Sequence, residues 1–206
     1  MAIEKDILMA TSFEPASTPR LRCELHNAIT HFAHSTFECD MTDPHSIELV
    51  HFGSKRWANY FKVVLLGLQS VLPPEVRRNA HGTIKVLVDG TVPPESSLSS
   101  SAAMTTCSSI VILTALKALH VVPRKVIADV ACHSERLVGV HSGGMDQAVS
   151  VFGQRDKALF VSFAPTLHVS PIELPLGHQY VFLVTNTMIK SDKKATAPER
   201  YNLRVV

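Results

Sequence analysis

Two short segments of the sequence carry side chains that could take part in the transfer of a phosphate group. The first is the serine-rich run P-P-E-S-S-L-S-S-S at 93–101, and the second is G-G-M-D-Q at 143–147. Small residues let backbone N–H groups approach an anion, and a positioned carboxylate can accept a proton from a reacting hydroxyl. The first segment is therefore a candidate anion site, and the second contains a candidate general base.

The serine-rich run connects a predicted strand to a predicted helix. The strand is I-K-V-L-V at 84–88, and a helical apolar pattern begins near Leu98. The serines at 99–101 then fall in the first helical turn, where the helix dipole favours negative charge. Their hydroxyls could bind phosphate or ligate Mg²⁺, although the run lacks the G-K-[ST] of a Walker loop. A serine-rich cap on a buried helix is the alternative interpretation, and it stays open.

Asp146 also has two interpretations. It follows the flexible Gly143-Gly144 turn, at the expected start of a helix. A carboxylate placed there can accept a hydroxyl proton during phosphoryl transfer. The alternative is an ordinary acidic residue at a helix N-terminus, which contributes about 0.3–1 kcal/mol through the helix dipole.

Hydrophobic periodicity predicts the elements that position these residues. Alternating patterns predict strands at 3–10 and 21–25, and two short edge strands lie within 34–52 around a turn at Asp43-Pro44. Helices are predicted at 57–72, about 98–119, 124–140 and 145–152, and further strands at 84–88, 158–163, 169–174 and 180–185. The tail at 186–200 is predicted to be a loop, and 201–206 the start of another element. Strands, then helices, then strands favour an α+β fold.

Composition excludes several classes of protein. With 46% hydrophobic and 18% charged residues over 206 positions, the chain can bury a core. A net charge of +2 without a stripe of basic residues argues against a nucleic-acid partner. The apolar run at 110–119 is too short for a membrane span and contains Lys117, and the charged first ten residues do not form a signal peptide. We therefore expect a cytoplasmic protein with no membrane contact.

The cysteines and histidines do not form a predicted metal site. Cys23, Cys39, Cys107 and Cys132 are far apart, without a C-x-x-C pair, so we expect reduced structural thiols. The eleven histidines are scattered singly.

Four segments of the chain match, in order and spacing, the motifs of one family. They are W-A-N-Y-F-K at 57–62, V-P-P-E-S-S-L-S-S-S-A-A at 92–103, S-E-R-L-V-G-V-H-S-G-G-M-D-Q at 134–147 and K-K-A-T-A-P-E-R-Y-N-L-R-V-V at 193–206. The chain resembles the GHMP small-molecule kinases, and within them the galactokinase branch, over nearly all of its length after residue 56. The resemblance implies the family's N-terminal domain, an α+β fold of the ribosomal protein S5 domain 2-like type.

The resemblance also implies a reaction and a set of site residues. Galactokinases transfer the γ-phosphoryl group of ATP to the anomeric hydroxyl of galactose, with Mg²⁺, and the family suggests a monomer. By position, Asp146 resembles the catalytic base, and Gly143, Asp146 and Tyr201 resemble sugar contacts. Ser101 and Glu135 resemble the Mg²⁺-associated pair, and the nucleotide contacts would be Trp57, Ser97, Leu98, Ser99, Ser100 and Ser101. From the residues alone, Trp57 could equally be core, and Glu135 could lie on a solvated helix face.

The chain departs from the family pattern in three ways. The N-terminal motif G-R-V-N-L-I-G-E-H does not occur, and the second domain of the family would follow residue 206. We therefore expect 1–206 to be a partial N-terminal domain, with the C-terminal domain absent and without activity of its own. The phosphate loop usually has glycines where Glu95 and Ser97 stand, and a non-glycine residue at positive φ costs on the order of 1 kcal/mol.

Two alternative functions stay open at this point. One is a non-catalytic relative that senses galactose and ATP and regulates a partner, which the altered loop favours. The other is an N-acetylgalactosamine kinase, because S-E-R-L-V-G at 134–139 resembles that branch.

Overall fold

The computed structural model describes residues 3–139, 141–173 and 182–185. The strands in this part of the chain are β1 (Ile7–Pro15), β2 (Leu21–Asn27), β3 (Ser35–Cys39), β4 (Gly82–Gly90), β5 (Lys157–Ser162) and β6 (His168–Glu173). The helices are α1 (Asn59–Val71), α2 (Pro74–Arg78), α3 (Ser100–Ala115), α4 (Arg124–Arg136) and α5 (Met145–Phe152), with short 3₁₀ turns at Pro44–Ser46 and Arg56–Ala58.

The first four strands form one sheet in the order β1-β4-β2-β3. β4 pairs antiparallel with β1 and parallel with β2, and β3 pairs antiparallel with β2. A parallel pair requires a crossover connection, and β3, α1 and α2 supply it between β2 and β4. β5 and β6 form a separate antiparallel hairpin. The predicted α+β class is confirmed.

One face of the four-stranded sheet carries the core. Alternate residues of β4, among them Ile84 and Val86, are buried and lie beside Cys23 and Leu25 of β2. α1 and α3 contribute apolar side chains to this cluster, α4 packs against both helices, and α5 packs against α3 and α4. Because side chains alternate along a strand, the other face carries polar residues such as Lys85.

Two strand predictions near the N-terminus need correction. β1 runs from Ile7 to Pro15 instead of over 3–10, because its whole length pairs with β4 from Gly90 to Gly82. The second edge strand predicted within 34–52 is wrong. The chain forms the 3₁₀ turn at Pro44–Ser46, and further along the Asn59 side chain bonds both the N–H and the C=O of Val50. That side chain occupies backbone groups that a neighbouring strand would otherwise use.

The helix predictions hold, with shorter ends. α3 ends at Ala115 because the chain turns sharply at Lys117, where φ is +55°. α4 ends at Arg136 instead of 140. α5 spans 145–152 as predicted, whereas α2 was not predicted. Of the strand predicted at 180–185, residues 182–185 are described and lie outside any strand, and the element predicted at 201–206 lies outside the described residues.

All four cysteines are free thiols, and burial raises their pKa values. None of the four cysteines forms a disulfide. Burial raises the pKa of Cys39 to about 12 and that of Cys107 to about 11. No helix in the described ranges is both long and apolar enough to cross a membrane.

The raised thiol pKa values predict a loss of stability in alkali. An unfolded thiol titrates near pH 8.5, so the stability contributed by a buried, protonated Cys107 is complete below about pH 8.5 and is lost as the pH rises towards 11. We expect the free energy of unfolding of the wild type to fall faster than that of Cys107→Ala between pH 9 and pH 11. Urea unfolding at a series of pH values measures this difference, and parallel curves for the two proteins would contradict it.

Candidate active site

The two candidate segments of the sequence lie together in the structure. The hydroxyl of Ser99, just before α3, donates a hydrogen bond of 2.7 Å to Oδ2 of Asp146 in the first turn of α5. Two residues along, the hydroxyl of Ser101 donates to Oε1 of Glu135 in the last turn of α4. The N-terminus of α3 therefore presents two hydroxyls to two carboxylates, and three helices meet at this point.

The loop before α3 has an unusual backbone. Glu95, Ser97 and Ser99 all lie in the left-handed region, with φ of 58°, 59° and 57°. This region favours glycine, and an L-residue held there costs about 1 kcal/mol or more. The departures at Glu95 and Ser97 therefore fall at positions whose backbone suits glycine.

A pair of glycine substitutions tests this backbone strain. We expect Ser97→Gly to raise the free energy of unfolding by about 1 kcal/mol, because it relieves the left-handed conformation. Ser96 is the matched control, since its φ is not positive. Ser96→Gly should lower stability by about 0.5–1 kcal/mol through the added freedom of the unfolded chain. Urea unfolding of both variants measures the change in the free energy of unfolding. A change of the same sign in both variants would contradict the prediction.

Glu135 is a buried carboxylate that several donors surround. Its exposed fraction is 2%. Besides the Ser101 hydroxyl on Oε1, Oε2 accepts from the Ser142 hydroxyl at 2.8 Å and from Nε2 of Gln147 at 2.7 Å. The interpretation of Glu135 as part of a solvated helix face is therefore wrong. Hydrogen bonds from three separate elements compensate the cost of burying this charged group.

The turn before α5 places Asp146. Gly144 has a φ of +84°, and a Cβ there would lie 2.9 Å from Sγ of Cys132, so a side chain would be strained and crowded. Gly143 is exposed, and a Cβ at that position would meet open space. Asp146 is half-buried at the second residue of α5. Tyr201, the third predicted sugar contact, lies outside the described residues.

A cavity of about 410 Å³ lies beside the serine loop. Its lining includes Trp57, Tyr60, Ser97, Ser99, Ser100 and Ser101, whereas Leu98 is not part of the lining. Trp57 has an exposed fraction of 8%, and its Nε1 donates to the carbonyl of Ala33 at 2.9 Å. The two interpretations of Trp57 therefore coincide, since it belongs to the core and also forms a wall of the cavity.

The charged side chains near the cavity leave the binding of an anion mainly to backbone N–H groups and the helix dipole. Burial raises the pKa of Tyr60 well above its usual range, and the negative charge of Glu135 adds to this effect, so the phenol stays neutral. Arg56 lines the cavity together with two acidic residues, Asp89 and Glu95, so the charged side chains of the lining do not attract an anion on balance. The N-terminal dipole of α3 points towards this space and favours phosphate.

The residues present fit Mg²⁺ bound together with a nucleotide. The described residues contain no group of three or more histidine, cysteine or acidic side chains that could hold a metal ion. Mg²⁺ is commonly bound by one or two carboxylates together with substrate phosphates and water. Glu135 and Ser101 supply one carboxylate and one hydroxyl, which matches that kind of site.

Sequence reasoning missed two members of this cluster, Ser142 and Gln147. Gln147 did carry a signal, because it falls on the buried face of α5 together with Ala148 and Val151. A polar residue on an apolar helix face needs a hydrogen-bond partner. That partner is Glu135.

The matching family profile and the matching curated relatives point to the same kind of kinase. The profile of the GHMP kinases N terminal domain matches residues 59–154, a range that includes the serine loop, Glu135 and Asp146. The galactokinase of Schizosaccharomyces pombe is 32% identical over 214 residues, that of Candida albicans 34% over 207 residues and that of Saccharomyces cerevisiae 33% over 213 residues. Each alignment covers 100% of this chain, but only 39–40% of the relative. The chain thus spans about two fifths of the length of these curated relatives.

Solved structures show the same fold. The Lactococcus lactis galactokinase complexed with galactose superposes with a TM-score of 0.63 over 84% of this chain and 40% of that chain, at 22% identity. A D-glycero-D-manno-heptose 1-phosphate kinase from Bacteriodes thetaiotaomicron gives a TM-score of 0.55 over 84% of this chain and 50% of that chain, at 16% identity. At these identities the similarity concerns the fold alone.

Proposed function

We propose that this chain forms the part of a galactokinase active site that carries the catalytic residues. The premise is that the chain belongs to the GHMP kinases through the N-terminal domain it carries. The reaction is transfer of the γ-phosphoryl group of ATP to the anomeric hydroxyl of galactose. One observation carries the proposal: the start of α3 pairs Ser99 with Asp146 and Ser101 with Glu135, beside a cavity lined by the same loop. This arrangement supports the proposal that Asp146 is the general base, Glu135 the metal carboxylate and the serine run the phosphate loop of one site.

Each residue has a defined part in this proposal. The amides at the start of α3 and the loop hydroxyls bind the phosphates of ATP. Asp146 accepts the proton of the attacking sugar hydroxyl, and the hydrogen bond from Ser99 orients its carboxylate. Glu135 and Ser101 would hold Mg²⁺, which would supply positive charge to neutralise the phosphates. Trp57 and the loop serines form the nucleotide side of the cavity.

The assignment of galactose rests on the names of the relatives and on the predicted sugar contacts. The curated relatives are galactokinases, and the Lactococcus lactis enzyme was solved complexed with galactose. Gly143, Asp146 and Tyr201 would contact the sugar in this chain. A monomeric, cytoplasmic enzyme belongs to the same proposal.

Calorimetry tests the proposal directly. Mg-ATP and galactose are titrated into this chain, and in parallel into the chain extended at both ends to the length of its curated relatives. We expect the extended protein to bind both ligands and to phosphorylate galactose. An extended protein that is folded but binds neither ligand would overturn the catalytic proposal. Faster turnover of N-acetylgalactosamine than of galactose would reassign the substrate.

A ligand-sensing role is the second candidate, and the loop favours it. Glu95 puts a carboxylate on the lining of the cavity, and Ser97 adds backbone strain at a position that suits glycine. The carboxylate would repel a triphosphate, whereas the strain lowers the stability of the loop conformation. A protein that binds galactose and ATP without turnover would support sensing, whereas measurable phosphorylation of galactose would exclude it.

A further inference from the structure

Gln147 has an arrangement that the fold alone does not require. It is fully buried, and its Nε2 lies 2.7 Å from Oε2 of Glu135, while its own Oε1 has no hydrogen-bond partner within the described part of the chain. The reversed amide would set Oε1 against the carboxylate, and two acceptors repel at that distance. Glu135 therefore fixes which way the amide points.

The position of Gln147 on α5 strengthens this point. Its buried neighbours on the helix are Ala148 and Val151, so an apolar side chain would suit the packing. A buried acceptor without a partner is a cost to folding. The hydrogen bond to the charged Glu135 offsets that cost, so the amide is explained by what it does to Glu135.

The two oxygens of Glu135 are not equivalent. Among the described residues, Oε2 accepts hydrogen bonds from both Ser142 and Gln147, whereas Oε1 accepts one from Ser101. Each carboxylate oxygen has two lone-pair sites. Oε1 is thus the oxygen with an acceptor site left, and it lies on the side of the serine loop.

We propose that Gln147, supported by Ser142, is a positioning residue that holds Oε2 of Glu135 so that Oε1 is presented to a divalent cation next to Ser101. The inference rests on the proposed function, because it takes Glu135 as the metal carboxylate. Asp146 and Gln147 are consecutive residues of α5, so a single helical turn positions the base and the metal carboxylate together. Residues that hold a metal ligand in place commonly change metal affinity about 10–100-fold when they are replaced.

The test measures the binding of Mn²⁺, followed by the electron paramagnetic resonance of the free ion in the presence of ADP. Gln147→Met keeps the length of the side chain but removes the donor, and we expect it to weaken Mn²⁺ binding about 10-fold. Ser142→Ala removes the second donor to the same oxygen from a less buried position. A loss of about 3-fold is expected for it.

Gln69 provides a matched control. It is also a buried glutamine that donates through Nε2, at 3.0 Å to the carbonyl of Asp40, and no described residue bonds its Oε1 either. Gln69→Met makes the same chemical change in α1, away from Glu135. We expect it to lower thermal stability much as Gln147→Met does, while Mn²⁺ affinity stays within about 2-fold, since Gln69 does not contact a metal ligand.

The possible results are distinct. Unchanged Mn²⁺ affinity in Gln147→Met, or equal losses in Gln147→Met and Gln69→Met, would overturn the inference. If Gln147→Met does not fold, Ser142→Ala decides, and unchanged affinity in that variant would overturn it. A wild type that binds ADP but no Mn²⁺ also overturns this inference alone, whereas a wild type in which neither galactose nor nucleotide binds, even in the extended chain, overturns the proposed function.

Discussion

Replacing Asp146 with asparagine is expected to lower the turnover of galactose by about 10³-fold in the extended chain, within the range of about 10²–10⁴-fold for loss of a general base. Asparagine has nearly the same shape and keeps an oxygen that can accept the hydrogen bond from Ser99. It cannot take up the proton of the sugar hydroxyl. The loss should therefore fall on kcat, while the Kd for Mg-ATP stays within about 2-fold, because the nucleotide contacts are untouched.

Asp156 offers a control with the same chemical change. It is exposed in the turn between α5 and β5, where its carboxylate lies 3.5 Å from Arg155. Asp156→Asn should leave kcat unchanged, since exposed ion pairs contribute little. Steady-state kinetics of both variants, with calorimetry of Mg-ATP, make the measurement. If Asp146→Asn keeps more than about a tenth of the wild-type kcat, Asp146 is not a general base of the expected strength.

The same variant separates the two candidate functions. A sensing protein uses Asp146 only as a hydrogen-bond acceptor for the sugar, so Asp146→Asn would change binding modestly and there would be no turnover to lose. A kinase keeps nucleotide binding and loses chemistry. Comparing the effect of Asp146→Asn on turnover with its effect on ligand binding therefore distinguishes the two functions better than either measurement alone.

Local patterns in the sequence were enough for the elements that place the site. The apolar spacing at 57–72 predicted the helix that became α1, and G-G-M-D-Q predicted the start of α5 at Met145. Both signals are local, since helix periodicity and turn residues act over a few positions. The prediction that the serine loop and Asp146 belong to one cleft required the family resemblance, because 47 positions separate Ser99 from Asp146.

The surroundings of Glu135 could not be predicted in the same way. In the sequence, S-E-R at 134–136 has the polarity of a helix surface. Its burial follows from the packing of α3 and α5 against α4, which a window of residues does not contain. The donors on Glu135 come from Ser101, Ser142 and Gln147, so only the assembled fold reveals the network.

Strand boundaries failed for a related physical reason. β1 extends to Pro15 because β4 offers backbone partners along its whole length, although the side chains beyond position 10 are mostly exposed. Pairing with a central strand outweighs weak local propensity. At 47–52 the opposite occurs, because the Asn59 side chain satisfies the backbone of Val50 in place of a strand.

Phe61→Ala is expected to lower the free energy of unfolding by about 3–5 kcal/mol, as for deletion of a fully buried phenylalanine side chain. Phe61 of α1 is fully buried in the hydrophobic core, and it is among the largest fully buried side chains of the described residues. Single domains are stable by about 5–15 kcal/mol in total, so the loss would remove a large part of the margin. Urea unfolding measures it, with Val71→Ala in the same helix as control, since Val71 has an exposed fraction of 37% and should lose less than about 1 kcal/mol.

Phe61→Ala should also affect the cavity, because α1 contributes to both the hydrophobic core and the cavity lining. Its core face holds Phe61, while the turn before it and its first residues place Trp57 and Tyr60 on the cavity lining. A helix that loses its main core anchor holds those two rings less firmly, so we expect Mg-ATP affinity to fall together with stability. A folded Phe61→Ala protein with wild-type stability would contradict the packing. Lost stability with unchanged nucleotide affinity would instead show that the position of α1 does not govern the cavity.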